Sequence, residues 1–206
     1  MIVELLHHTP LEVADIAICK CYGNEPHSDS EKVKARINRV ANVSKHASTI
    51  EHLNYSFDID GISRGCLQEL ARHRIASYTV KSSRYTLQEL KEVLLFNDAN
   101  YEYYWGIIKE FCVLTGDISI DLRIAESLCN LKDLIGNGIS NDKAKYCMPE
   151  AYKTSLVMTI NARALQNFLE LRSSKHALWE IQLLAKAMYE AIPAEHKFLY
   201  NNIIQS

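Results

Sequence analysis

The chain has 206 residues, 23 Lys+Arg against 25 Asp+Glu and a formal net charge of −2. That balance excludes a broadly basic nucleic-acid coat and an acidic tail protein. Hydrophobic residues at 48% can fill a sizeable core, and only 7 Gly and 4 Pro favour a helix-rich fold in one domain, 1–206, over a many-turned β sandwich.

The pattern predicts a strand at 2–7, then a buried helix at 11–21. A loop with Pro26 follows, and Ser30 and Glu31 open a helix to about Lys45, with Val33, Ile37, Val40 and Ala41 on one face. Tyr55, Phe57 and Ile59 alternate with polar residues, so 52–60 reads as a half-exposed strand stopping at Gly61. Ser63 caps a predicted helix from Arg64 to about Arg74. Helices at 87–96, 98–114 and 119–135 follow, punctuated by Gly116 and Asn137-Gly138, and a short helix at 141–147 ends before Pro149. Ser155–Ile160 is a strand, and helices follow at 161–172, 176–191 and 194–204. Tyr101, Tyr103, Tyr104 and Trp105 read as core or subunit packing rather than a stacking platform.

No apolar run approaches the ~18–20 residues of a membrane span, and the N-terminus lacks the basic start and long apolar stretch of a signal peptide. A cytoplasmic protein with no membrane contact is expected. The 6 cysteines are scattered without a CxxC pair and read as reduced, buried thiols.

Three segments carry chemistry. From Arg72 to Arg84 there are four Lys/Arg, one His and no acid. Arg72 and Arg74 offer planar donor forks that match phosphate oxygens, and the following Ser-rich stretch breaks helix and offers backbone and hydroxyl donors. The second segment is His46-Ala47-Ser48-Thr49-Ile50-Glu51-His52. No helix puts its two histidines on one face, so no metal centre is expected there, and polar groups positioning a bound ring fit better. In the third, at 100° per residue, Arg163 and Asn167 share one face of the 161–172 helix, while Asn161 and Arg172 return to another, so the helix presents one polar pair to each of two neighbours.

Together the segments resemble the flavin-dependent thymidylate synthase family. Its signature of Arg-His-Arg, seven residues, then Ser matches Arg72-His73-Arg74 and Ser82, with Arg84-Tyr85 following. Its upstream pattern matches His46, Ser48, Glu51 and His52. Its downstream pattern matches Asn161-Ala162-Arg163, Asn167, Leu171-Arg172, His176 and Trp179-Glu180. The resemblance implies a mixed α/β fold with a central sheet, a helix-rich periphery and a non-Rossmann FAD site. It implies synthesis of thymidylate from dUMP, with carbon from methylenetetrahydrofolate and reducing equivalents from NADPH, in a homotetramer with shared active sites. Ser48, Arg72, His73, Arg74, Asn161, Arg163 and Asn167 match flavin-contacting positions. Glu69, Arg72, Ser82, Ser83, Arg84, Lys145 and Arg172 match positions around the substrate. Arg172 matches the residue that favours ionisation of uracil N3. Ser82 reads as a binding group, because no base is placed to activate it.

The chain departs from the family at Val80, where many members have an acid, at Glu69, where Gln is common, and at Lys145, which keeps an arginine's charge but not its fork. Two other readings compete. One is a nucleotide- or RNA-binding module without catalysis, which the charge of −2 disfavours. The other is a family member that binds FAD but lacks turnover.

Overall fold

Four segments pair into one sheet: β1 (Ile2–His8), β2 (Asn54–Ser63), β3 (Ala76–Val80) and β4 (Lys153–Asn161), in the order β1-β2-β4-β3. This computed structural model describes residues 1–93, 101–201 and 203. β1 runs antiparallel to β2, with Val3 opposite Ile59 and Leu5 opposite Phe57, and its register shifts between Leu5 and His7. The period-two alternation of β2 puts Tyr55, Phe57 and Ile59 fully inside. The expected stop at Gly61 is corrected: β2 runs through to Ser63, because glycine takes the φ of 76° found there without steric cost. β3 is a second correction. The stretch 76–80, read only as part of a helix-breaking Ser-rich segment, is a strand rich in β-favouring Tyr78, Thr79 and Val80.

The chain divides into two compact units. The first comprises Met1–Asp60, Glu69–Thr79 and Leu156–Ser206; the second, Gly61–Gln68 and Val80–Ser155. In the first unit lie α1 (Leu11–Tyr22), α2 (Ser30–Ile37), α9 (Ala162–Arg172) and α10 (Trp179–Ala191). Asp29 caps α2 by accepting from the N–H groups of Glu31 and Lys32. The expected run to Lys45 ends sooner: from Asn38 to Val43 the chain widens into a π turn, and Lys45 takes a φ of 59°. Residues Ala47–His52 form a 3₁₀ turn. α9 touches both that turn and α10, and α10 packs on β1. The core here includes Ile18, Ile37, Ile50, Phe168, Leu184 and Met188, each with at most 2% of its surface exposed. Burying such a side chain contributes about 1.5–3 kcal/mol. The C-terminal reading is corrected in part: α10 starts at Trp179, and Ala194–Leu199 is a 3₁₀ turn, with 202 and 204 outside the described residues.

In the second unit Ser63 Oγ accepts from the Cys66 N–H at 2.9 Å, the cap expected for α3 (Arg64–Leu70), whose last two residues belong to the first unit. α3 ends at Leu70, four residues short of the predicted Arg74. α4 (Ser83–Thr86), α5 (Gln88–Glu92), α6 (Tyr101–Phe111), α7 (Ile118–Gly136) and α8 (Asn141–Ala144) follow. The parts of the predicted helices 87–96 and 98–114 that fall at 94–100 lie outside the described residues. α6 stops at Phe111 because Cys112 pairs with Tyr152 in an isolated bridge. The predicted helix 141–147 is α8 plus a 3₁₀ turn at Lys145–Cys147. Leu87, Leu90, Ile108, Leu128 and Leu131 are fully buried in this unit's core. Trp105 packs in it, with Tyr104 edge-on at 5.8 Å; the side chains of Tyr101 and Tyr103 lie outside the described ones. Asp117 caps α7, and the buried Asp121 carboxylate accepts from the Thr115 N–H and hydroxyl and the Gly116 N–H.

All six cysteines are free. Cys19, Cys66, Cys112 and Cys129 are buried as expected, whereas Cys21 and Cys147 are exposed. Among the described residues no helix is long and apolar enough to cross a membrane.

Candidate functional site

The site in the first unit begins where β4 runs directly into α9. Asn161 is the N-cap, its Oδ1 accepting from the Ala164 N–H at 2.8 Å. Because an N-cap is not helical, the 100° rule does not apply to it. Asn161, Arg163, Asn167 and Arg172 all line one cavity of about 910 Å³. This corrects the expectation that they serve two faces: the cap bends Asn161 inward, and the last-turn Arg172 is long enough to reach round.

Arg72, His73, Arg74 and Ile75 line the same cavity from the segment between α3 and β3. That segment has no ladder hydrogen bonds of its own. The Tyr78 hydroxyl fixes it from β3, lying 3.0 Å from the Leu70 carbonyl and 2.7 Å from that of His73. The edge of Phe168, from α9, meets the His73 ring with centroids 4.9 Å apart.

Arg172 is the hub. Its Nε donates to His73 Nε2 at 2.9 Å, its Nη1 to Glu69 Oε2 at 2.8 Å and its Nη2 to the Glu69 carbonyl at 3.1 Å. A guanidinium only donates, so His73 Nε2 accepts and the ring carries its proton on Nδ1. His73 is held below the usual histidine range, first by burial, then by the Arg172 cation, with Arg72 adding to it and Glu69 opposing. Two of the five guanidinium N–H groups stay available to a ligand. Arg72 lies 3.8 Å from the other Glu69 oxygen.

Glu51, which sequence reasoning placed in a motif but gave no role, lines the cavity and accepts from Arg163 Nη1 at 2.5 Å. Ser48 does not line the cavity; the 3₁₀ turn aims Glu51 there instead and leaves Ser48 exposed. Ser174, His176 and Ala177, from the loop after α9, complete the wall. Of these only His176 belonged to a recognised pattern. His46 Nδ1 meets the Tyr22 hydroxyl at 3.1 Å.

The remaining predicted positions belong to the second unit. Ser82 is the N-cap of α4 and Ser83 its first residue. Arg84 Nε meets Asp142 Oδ1 at 2.6 Å, while its carbonyl accepts from Asn141 Nδ2 at 2.8 Å. Lys81 pairs with Glu89 at 3.1 Å, and Lys145 Nζ lies 5.9 Å from the Tyr146 ring centre. The acid-free run of 72–84 is therefore not unpaired in space. Its carboxylates, Glu69, Glu89 and Asp142, come from outside that window.

The thymidylate synthase complementing protein family matches residues 4–196. A flavin-dependent thymidylate synthase of Wolinella succinogenes is 54% identical over 202 residues, 97% of each chain. One of Campylobacter jejuni is 50% identical over 206 residues, 99% of this chain and 98% of its own. Among solved structures, thymidylate synthase X of Helicobacter pylori with FAD and dUMP superposes with a TM-score of 0.94 at 48% identity, over 100% of both chains.

Proposed function

The chain belongs to the flavin-dependent thymidylate synthase family, and on that premise we propose that its 206 residues act as one catalytic domain converting dUMP to thymidylate. FAD is the bound cofactor, methylenetetrahydrofolate the carbon donor and NADPH the reductant. The donor set of the 910 Å³ cavity carries this reading. Arg72, Arg74 and Arg163 suit a pyrophosphate, and the Asn161 and Asn167 carboxamides and the neutral His73 ring suit the edges of a flavin and its ribityl chain. When bound, FAD supplies the redox chemistry and the route by which the carbon reaches the pyrimidine.

The protein's own groups bind and polarise. Arg172 sets a cation beside uracil N3, which favours loss of the N3 proton. The anionic ring is a stronger nucleophile at C5. Ser82, Ser83, Arg84 and Lys145 hold the nucleotide phosphate, and Glu69 sets the position of Arg172. Ser48, given its exposure, contributes least to the flavin set. We assign the active assembly to a homotetramer in the cytoplasm.

A visible absorption spectrum of the pure protein tests the reading, followed by thymidylate formation from dUMP with both co-substrates. The protein should be yellow, release FAD on denaturation and make product. A colourless protein that stays inactive after FAD is added would overturn it.

A further inference from the structure

Among the described residues, one group of histidine and carboxylate side chains gathers away from the cavity. His8 ends β1, and Glu195 and His196 lie in the 3₁₀ turn Ala194–Leu199. Each offers one ligand atom, and the three atoms lie within 4.8 Å of one another. We infer that His8, Glu195 and His196 form a binding site for a divalent transition-metal cation of the Zn2+ type.

The site is built unevenly, in the way a metal site needs. His196 is 1% exposed, and its Nδ1 lies 2.8 Å from the hydroxyl of Tyr55, which is itself fully buried. That bond occupies Nδ1 and fixes the ring, leaving Nε2 as the nitrogen for a cation, the arrangement in which a metal-binding imidazole is held through its other nitrogen. Tyr55 in turn is anchored in β2 against Phe57 and Tyr200. The other two ligands can move. The side chains of His8 and Glu195 are 34% and 51% exposed, and their nearest atoms, Nε2 and Oε1, stand 4.0 Å apart. Four-coordinate Zn2+ with bonds of about 2.0–2.1 Å wants its ligand atoms about 3.3 Å apart. Rotation of the half-buried His8 and exposed Glu195 side chains would cover the difference while His196 stays fixed.

The residue types select the cation. Two imidazole nitrogens and one carboxylate suit Zn2+ and its neighbours; Ca2+ and Mg2+ prefer oxygen ligands. A His8 and Glu195 ion pair would account for only two of the three groups, and at 4.0 Å it sits at the outer limit for such a pair. None of the three residues lines the flavin cavity. Three protein ligands leave a fourth position to water. The bound cation would tie the end of β1 to the turn after α10.

The test uses the full chain loaded with FAD, stripped of metal with EDTA and dialysed against Zn2+, with bound metal counted by mass spectrometry. One Zn2+ per chain is expected. His8→Ala, at a half-buried position, and Glu195→Gln, at an exposed one, should each weaken uptake at least tenfold, and Zn2+ should raise Tm in the unaltered protein but not in His8→Ala. No uptake at about 100 μM Zn2+, or unchanged uptake in His8→Ala, would overturn the inference.

Discussion

Replacing Arg172 by alanine separates its structural contacts from its proposed catalytic role. The change removes the donors to His73 Nε2, to the Glu69 carboxylate and to the Glu69 carbonyl together. The Arg172 side chain is 15% exposed, but Glu69 is 33% exposed and keeps Arg72 within 3.8 Å. The orphaned carboxylate is thus partly solvated. The stability cost belongs near the low end for a lost charged partner, about 1–3 kcal/mol, and the protein should still fold. Loss of a preorganised group that stabilises developing charge costs far more in rate, about 10²–10³ in kcat. The assay is thymidylate formation at saturating substrates, with flavin absorbance per chain measured on the same sample. Arg172→Lys restores the charge but not the Nε donor to His73, so its rate should fall between the two. A kcat for Arg172→Ala within about threefold of the unaltered protein, with flavin retained, would refute the catalytic role. Loss of the flavin itself would show Arg172 to be a cofactor-holding group instead.

Three further outcomes follow from the same geometry. Asn161→Ala loses the α9 cap and should lower stability by about 1 kcal/mol, seen as a lower Tm, together with weaker FAD retention in a flavin titration. Asp121→Ala strands the Thr115 and Gly116 N–H donors and should cost about 2–3 kcal/mol; a urea midpoint unchanged from the parent would contradict this. His73 is depressed below the usual range, so under mildly acidic conditions the unfolded chain binds a proton that the folded ring refuses. Stability should therefore rise with pH up to about 6.5 and gain nothing from this group above it. His73→Gln should flatten that rise in denaturation curves taken across the interval, and an equal slope would rule the assignment out.

What could be read in the sequence was what repeats locally. The alternation of Tyr55, Phe57 and Ile59 gave β2 its buried face, and Arg163 and Asn167, one turn apart, do share the cavity. The Arg-His-Arg segment and the Asn161 segment converge on one cavity although their first members stand 89 positions apart. Strand β3 was hidden because Ser77 lies within it, Ser82 and Ser83 follow it, and a strand needs a neighbour that local pattern does not name. The π turn after α2 was hidden because a helical hydrophobic face continues through Val40 and Ala41, both buried. The carboxylate partners were hidden by distance along the chain. Glu51 reaches Arg163 across 112 positions and Arg172 reaches Glu69 across 103, and nothing local signals either pair.

Those pairs have a consequence for binding. Arg163 faces Glu51, and Arg172 and Arg72 face Glu69, so three of the arginines that would meet an incoming anion already have internal counter-ions. Entry of a phosphate or an ionised ring is then an exchange of partners, one anion displacing another. The affinity reports the difference between two contacts and not the strength of one. The carboxylates let the cations stay in place without a ligand. They also set the threshold that a ligand must exceed, and that threshold favours ligands whose oxygens engage more than one arginine at a time.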